Sequence, residues 1–210
     1  PDTDLKITDL PNGVILEAQT EPGTGIRKRI EINLASNAPT ITLTHTLIND
    51  GLWAVELAPW TITQFRLGGT AILPMPVGNV DEAGLLHNRQ MSFWPYTRLN
   101  DPRLSLRDDY ILFHTDALPP FKLGYFNSHG WLAYYVDGIL FKNSFDVKSC
   151  ATYPDNNSNA ELYCNAEFVE LESLAPLTRL EPGASVQHAE TWEVLNGIES
   201  LPKELQELIK

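Results

Sequence analysis

The chain has 210 residues, 43% of them hydrophobic and 20% charged, a composition that suits one globular domain. Its 15 Lys and Arg against 27 Asp and Glu give a formal charge of −12, which excludes the clustered basic surface that nucleic acid or an anionic membrane requires. No apolar run approaches the roughly 18 residues of a spanning helix, and PDTDLKITDL lacks the basic-then-apolar order of a secretory signal. These readings leave the compartment open, with the cytoplasm favoured.

Strand signals recur from end to end. The first run covers 12–20. In GIRKRIEINL, Ile26, Lys28, Ile30, Ile32 and Leu34 oppose Arg27, Arg29, Glu31 and Asn33, a period of two with one face mostly apolar. PTITLTHTLIN alternates Ile41, Leu43, His45 and Leu47 with threonines, a half-wet face on a strand-favouring background. Further strands are predicted over 52–66, 69–75, 90–96, 121–127, 130–136, 138–145, 159–174 and 185–195. Turn punctuation separates them at Pro11-Asn12-Gly13, Glu21-Pro22-Gly23, Asn49-Asp50-Gly51, Gly68-Gly69 and Glu181-Pro182-Gly183. Asp137-Gly138, set between WLAYYV and ILFKNSF, is a two-residue hairpin signal. Residues 76–89 and 97–109 read as long loops, which in a compact domain often carry function. Only 201–210, with Pro202 near its start, reads as a short helix. The sum is a single antiparallel all-β domain of sandwich type over 1–210.

Cys150 and Cys164 are too few for a disulfide scaffold or a zinc site and are expected as free thiols. The five histidines (45, 87, 114, 129 and 188) show no metal-binding spacing. No Gly-x-Ser-x-Gly, P-loop or dinucleotide fingerprint occurs. No metal and no cofactor are expected.

Candidate site residues come from period-two placement and from aromatic clustering. In EFVELESL, Phe168, Glu170, Glu172 and Leu174 share one face; in SVQHAETWEVL, Val186, His188, Glu190, Trp192 and Val194 share another. On an outward face these carboxylates are merely solvated. On a concave face they form a polar pocket floor where desolvation raises a Glu toward a useful base. FWPYTRLNDPR places Trp94, Tyr96 and Arg98 at the entrance to a polar loop, where core packing explains them poorly. With Trp60, Trp131, Tyr153, Asp155 and His188 they make a substrate-binding set of the kind a sugar needs, an apolar platform beside polar groups. Lys122, on the strand of PPFKLGYFN, is either a snorkelling lysine or a partner for a carboxylated sugar or an acid/base step.

The stretch FVELESL…LTRLEPGASVQHAETWEVL resembles the C-terminal strands of the galactose mutarotase (aldose 1-epimerase) superfamily, with Leu171-Glu172-Ser173 and Glu181-Pro182-Gly183 followed by His188 as the matching motifs. EPGTGIRKRIEI, LTHTLINDGLWAVELAPW, GGTAILPMP, FWPYTRLNDPR, KLGYFNSHGWLAYY and TYPDNNSNAELYCNAEFVELESLAPL resemble a narrower, mainly bacterial family of the same fold, across essentially the whole chain. The resemblance implies an antiparallel β-supersandwich of galactose mutarotase type, here without some N-terminal strands that an N-terminal segment or another chain would supply. It implies a carbohydrate ligand, a sugar or uronic acid, with Glu172 as general base; Lys122 and Glu170, chosen from their own placement, are the further catalytic candidates, with Arg98 and His188 in support. It also puts Trp60 where those enzymes carry an acid histidine, and a tryptophan exchanges no proton at neutral pH. The competing expectation is therefore a non-catalytic carbohydrate-binding module or an accessory domain.

Overall fold

The computed structural model describes residues 5–199 and Leu201. The helix expected over 201–210 lies, apart from Leu201, outside the described residues. The chain opens with a meander of four antiparallel strands, β1 (Lys6–Leu10), β2 (Gly13–Glu17), β3 (Ile26–Leu34) and β4 (Thr40–Asn49). The run expected as one strand over 52–66 divides into β5 (Val55–Leu57) and β6 (Trp60–Arg66). Pro59 stands at the break, where a residue without an N–H cannot continue a ladder. β7 (Thr70–Pro74), β8 (Met91–Phe93), β9 (Leu104–Leu106) and β10 (Tyr110–His114) follow. Next come β11 (Phe121–Tyr125), β12 (Trp131–Val136) and β13 (Ile139–Phe145), then β14 (Ala160–Cys164), β15 (Phe168–Leu174), β16 (Thr178–Leu180) and β17 (Ser185–Asn196).

These strands form two facing layers. The large sheet has ten strands in the order β1-β2-β3-β4-β17-β13-β12-β7-β10-β9, and the small one has five, β6-β15-β14-β11-β8. β5 and β16 pair separately. Between the layers lies the main core. Ala71, Leu73, Ile111, Phe113, Leu132 and Tyr134 of the large sheet meet Phe121, Leu123, Tyr125, Leu162, Val169 and Leu171 of the small one, all at most 1% exposed. At roughly 25 cal/mol per Å² of apolar area removed from water, this interface is the main stabilising term. A second apolar cluster, Ile72, Trp131, Ala133, Leu140 and Ile198, covers the opposite side of the large sheet. The layers do not match in width: β1 to β4 extend past β6, the near edge of the small sheet.

Local chemistry sets the connections. Asp137 and Gly138 have φ of 50° and 77°, the left-handed pair that a two-residue hairpin demands, and Val136 pairs with Ile139 across it. The segment 97–109, expected as a loop throughout, includes the short strand β9 and folds around Arg103, which is 2% exposed. Its guanidinium grips Asp101 through Nε and Nη2, both at 2.9 Å, and donates to the Pro119 carbonyl at 2.7 Å. A guanidinium so buried has to be paired, so this ion pair ties the loop to the end of the sandwich. Asp101→Ala leaves that charge without its partner and is expected to cost about 3–5 kcal/mol in urea unfolding; a loss under about 1 kcal/mol would mean that the pair is not a structural tie.

Candidate functional site

β15 runs between β6 and β14, so its alternate residues face two different worlds. Val169, Leu171 and Ser173 point to the main core, and Glu170 and Glu172 point to the outer side of the small sheet. Glu172 sits directly opposite Glu161 of β14, while Tyr163, two residues along on the same face, faces Lys122 of β11. Two carboxylates directly across a strand pair repel each other. Lys122 resolves the conflict: its Nζ lies 2.8 Å from Glu161 Oε2 and 2.9 Å from Glu172 Oε2. Both glutamates are 0% exposed and Lys122 is 7% exposed.

Three loops and strand ends roof this cluster. Trp60, the first residue of β6, donates its indole N–H to Glu172 Oε2 at 2.8 Å. Its ring lies 4.8 Å from the Lys122 ammonium, and so does the ring of Trp94, giving that cation two aromatic faces. Trp94 is held in place by Thr97, whose N–H donates back to the Trp94 carbonyl. The Thr97 hydroxyl accepts from the Lys122 N–H at 2.9 Å and donates to the Lys122 carbonyl at 2.6 Å, pinning the loop to β11. Tyr96 stands edge-on to Tyr163 with centroids 6.4 Å apart. Trp60 remains 52% exposed and Tyr96 44%, so the roof is an aromatic surface open to solvent.

Beside Trp94 the chain makes an unusual turn. Asp155, Asn156 and Asn157 have φ of 49°, 57° and 64°, so the helical turn at Pro154–Asn157 is left-handed. Such residues cost roughly 1–2 kcal/mol each, least for Asp and Asn. The Ser158 hydroxyl bonded to the Asp155 carbonyl at 2.7 Å, and the Asn157 side chain accepting the Tyr153 N–H at 2.9 Å, hold it. Gly124 makes room for this turn, since a Cβ there would lie 2.8 Å from the Ser158 hydroxyl and 3.2 Å from Glu161. Asp155 and Asn156 face Ser92, Phe93, Trp94 and Pro95 across a pocket of about 230 Å³.

The charges in the cluster are set by burial. Desolvation raises Glu161 to about 8, against the lowering pull of Lys122. Desolvation raises Glu172 too, again opposed by Lys122. Burial pulls Lys122 down, but its two carboxylates outweigh that and hold it above the usual lysine range. A cationic Lys122 is therefore held between two carboxyls that both bind their protons more tightly than usual, Glu161 up to about pH 8. Glu172 Oε1 and Glu161 Oε1 have no hydrogen-bond partner in the protein.

The other predicted residues divide by position. Glu170 is half-buried near the cluster and accepts from Gln64 at 2.7 Å. Arg98 is exposed on the loop after Tyr96, where its charge acts on Asp101. Trp131 is 6% exposed within the second apolar cluster, with Lys142 over its ring, and it does not reach the outer face. Tyr153 is 2% exposed; its hydroxyl accepts from the Lys148 N–H and its ring packs on Phe126, so it builds the turn. His188 lies on β17 of the large sheet, inside the sandwich, with Nε2 2.7 Å from Ser173 Oγ. Glu172 and His188 are thus on opposite sides of the small sheet and cannot share a proton relay.

His188 belongs instead to a buried polar knot. Glu190 accepts from Thr61 at 2.7 Å, from Ser173 at 2.8 Å and from Asn143, and its second oxygen lies 3.1 Å from His45 Nε2. Burial acts to raise Glu190, yet these partners win and hold it at about 2, while desolvation lowers His188. Glu161 and Gly124 are the site residues that sequence reasoning did not select. The alternation in AELYC places Glu161 beside Tyr163 on one face, a signal that period two alone leaves unweighted.

A galactose mutarotase related enzyme from Lactobacillus acidophilus superposes over 95% of this chain and 74% of its own, with TM-score 0.57 and 9% identity. The fold is that of the galactose mutarotases. A galactose mutarotase-like protein from Lactobacillus casei matches this mutarotase-like sandwich over 92% of the chain and 74% of its own, with TM-score 0.55 and 12% identity. An Escherichia coli K12 protein, provisionally assigned as an aldose 1-epimerase, covers 92% of this chain and 69% of its own, with TM-score 0.60 and 13% identity. No family model and no curated protein matches the sequence.

The raised carboxylate gives the mutarotase-like sandwich a defined pH dependence. Folded Glu161 keeps its proton up to about pH 8, whereas an unperturbed one loses it near 4.5. The folded state then holds more protons between those values, so stability falls as pH rises through the window. Glu190, already ionised there in both states, adds no slope. His188, which burial holds below its usual range, contributes the opposite slope, so the readout is a difference: from pH 5 to pH 8 the urea midpoint is expected to fall relative to that of Glu161→Gln, and parallel profiles would mean that Glu161 is ionised throughout.

Proposed function

We propose that the protein binds a carbohydrate on the outer face of the small sheet, against Trp60, Trp94 and Tyr96 and beside Asp155. The observation that carries this reading is the solvent-facing aromatic roof over a buried cluster of one lysine and two carboxyls. A sugar offers an apolar C–H face and a polar rim, and stacking rings flanked by carboxylate and amide groups are its complement. Likeness in fold to a galactose mutarotase related enzyme supports the ligand class. Both Lys122 Nζ and the Trp60 indole occupy the Glu172 Oε2 that a base would use. Binding without turnover is accordingly the leading form of the reading.

A second form is proton transfer, favoured by the unpartnered Oε1 atoms of Glu172 and Glu161 and by their raised protonation. Once the Trp60 indole swings aside, Glu172 would take the proton of the anomeric hydroxyl and Glu161 would give one to the ring oxygen, opening the ring. Tryptophan fluorescence titrated with galactose, glucose and galacturonate tests binding: Trp94→Ala is expected to weaken it about five- to tenfold, and a blank panel would overturn the carbohydrate reading. NMR of anomer exchange separates the two forms. Exchange above the buffer rate that disappears in Glu172→Gln selects proton transfer, and no acceleration with binding intact selects the module.

A further inference from the structure

The pocket between Trp94 and the left-handed turn holds about 230 Å³. That is below the roughly 300 Å³ at which ligand pockets usually begin, so a ligand seated there has to extend beyond it. A second pocket, of about 310 Å³, adjoins it along the turn. The same two segments wall both. Ser92 to Pro95 line the first with Asp155 and Asn156, and Gln90 enters the second with Asn157. Ser92 Oγ donates to the Asp155 carbonyl at 3.0 Å and Gln90 Nε2 to the Asn156 carbonyl at 3.3 Å, so β8 and its approach hold the turn alongside. The pockets are therefore successive stretches of one furrow. From Gln90 to Trp94 it runs about 13 Å of near-extended backbone, longer than one pyranose ring.

The second pocket has the mixed lining that a sugar ring takes. Val80 and Phe126 give it apolar surface, while His87, Ser128 and Asn157 bring imidazole, hydroxyl and amide groups. Its outer wall is the segment 76–90, which the aromatic roof does not use. That wall is braced from within. Asp81 accepts the Leu86 N–H at 2.9 Å, Asn88 donates to the Gly78 carbonyl, and Arg89 donates to the carbonyls of Pro76 and Asp108. His87 and Ser128 are exposed, and neither side chain has a hydrogen-bond partner among the described residues. Between the pockets stand three consecutive left-handed residues, strained backbone of the kind kept where particular groups have to be aimed.

We propose that the protein takes an oligosaccharide, with one unit over Trp94 beside Asp155 and the next in the pocket of His87, Phe126 and Ser128. The inference rests on the carbohydrate reading of the outer face and adds to it the length of the ligand. The glycosidic link between the two units lies against the turn. Once the first unit is seated, the second contact is intramolecular, and affinity rises with chain length without any new contact at Trp94.

Tryptophan fluorescence titrations comparing galactose and glucose with 1,4-β-galactotriose, cellotriose and maltotriose test this. At least one trisaccharide is expected to bind about tenfold more tightly than its own monosaccharide. His87→Ala and Ser128→Leu, both at exposed positions, are expected to weaken that trisaccharide about fivefold and to leave the monosaccharide unchanged. Trp94→Ala is expected to weaken both ligands. Monosaccharide binding with no gain for any trisaccharide would overturn the second subsite and leave the carbohydrate reading standing. Unchanged trisaccharide affinity in both pocket variants, or an equal loss for the two ligand sizes, would overturn it as well. Silence from every sugar would overturn the carbohydrate reading itself, and this inference with it.

Discussion

Glu161 and Glu172 stand directly opposite each other on adjacent strands, with no solvent to separate their charges. Lys122 and one retained proton relieve that repulsion, and the rest of the outer face follows from the arrangement. A lysine placed between two buried carboxylates needs cover, and Trp60 and Trp94 provide it as aromatic faces at 4.8 Å. The cover needs anchoring, which Thr97 gives to Trp94 and the Glu172 carboxylate gives to Trp60. Gly124 is required because a side chain there would press on Ser158 and Glu161. An ion cluster of this kind adds little net stability over an apolar core, because desolvation offsets much of the attraction. Its place under an aromatic roof whose Trp60 and Tyr96 are open to solvent is what makes the site a candidate for function.

The interior holds a second polar group of opposite character. Around Glu190 hydrogen bonds outnumber lone pairs left over, and the carboxylate is held far below its usual range. Around Glu161 and Glu172 oxygens are left without donors, and both are held above it. Ser173 and Glu172 are consecutive in the chain yet serve these two groups separately, because adjacent strand residues point to opposite sides of a sheet. The small sheet is thus a partition, structural knot inside and candidate ligand face outside. Where it stops, at β6, the large sheet carries on.

Much of the architecture is legible in residue order. Period two over 26–34 and 40–49 corresponds to β3 and β4, and Asp137-Gly138 is the hairpin it suggests. Short strands without alternation, β1, β9, β10 and β16, do not announce themselves, since three to five residues carry too little pattern. The separation of Glu170 and Glu172 from Val169 and Leu171 was equally readable. Trp131, Tyr153 and His188 share the residue types of a sugar site but are buried elsewhere, because composition does not say which side of which sheet a strand turns outward.

By itself the sequence determined an antiparallel all-β sandwich and the alternation that sends Glu172 to one face of its strand, since turn chemistry and a two-residue period are local properties. Only the tertiary structure decided the company Glu172 keeps. Lys122 and Glu161 are 50 and 11 residues away, Trp60 is 112 away, and strand order alone brings them together. The protonation of the cluster was decided there as well, because it depends on burial and on neighbours that no local pattern contains.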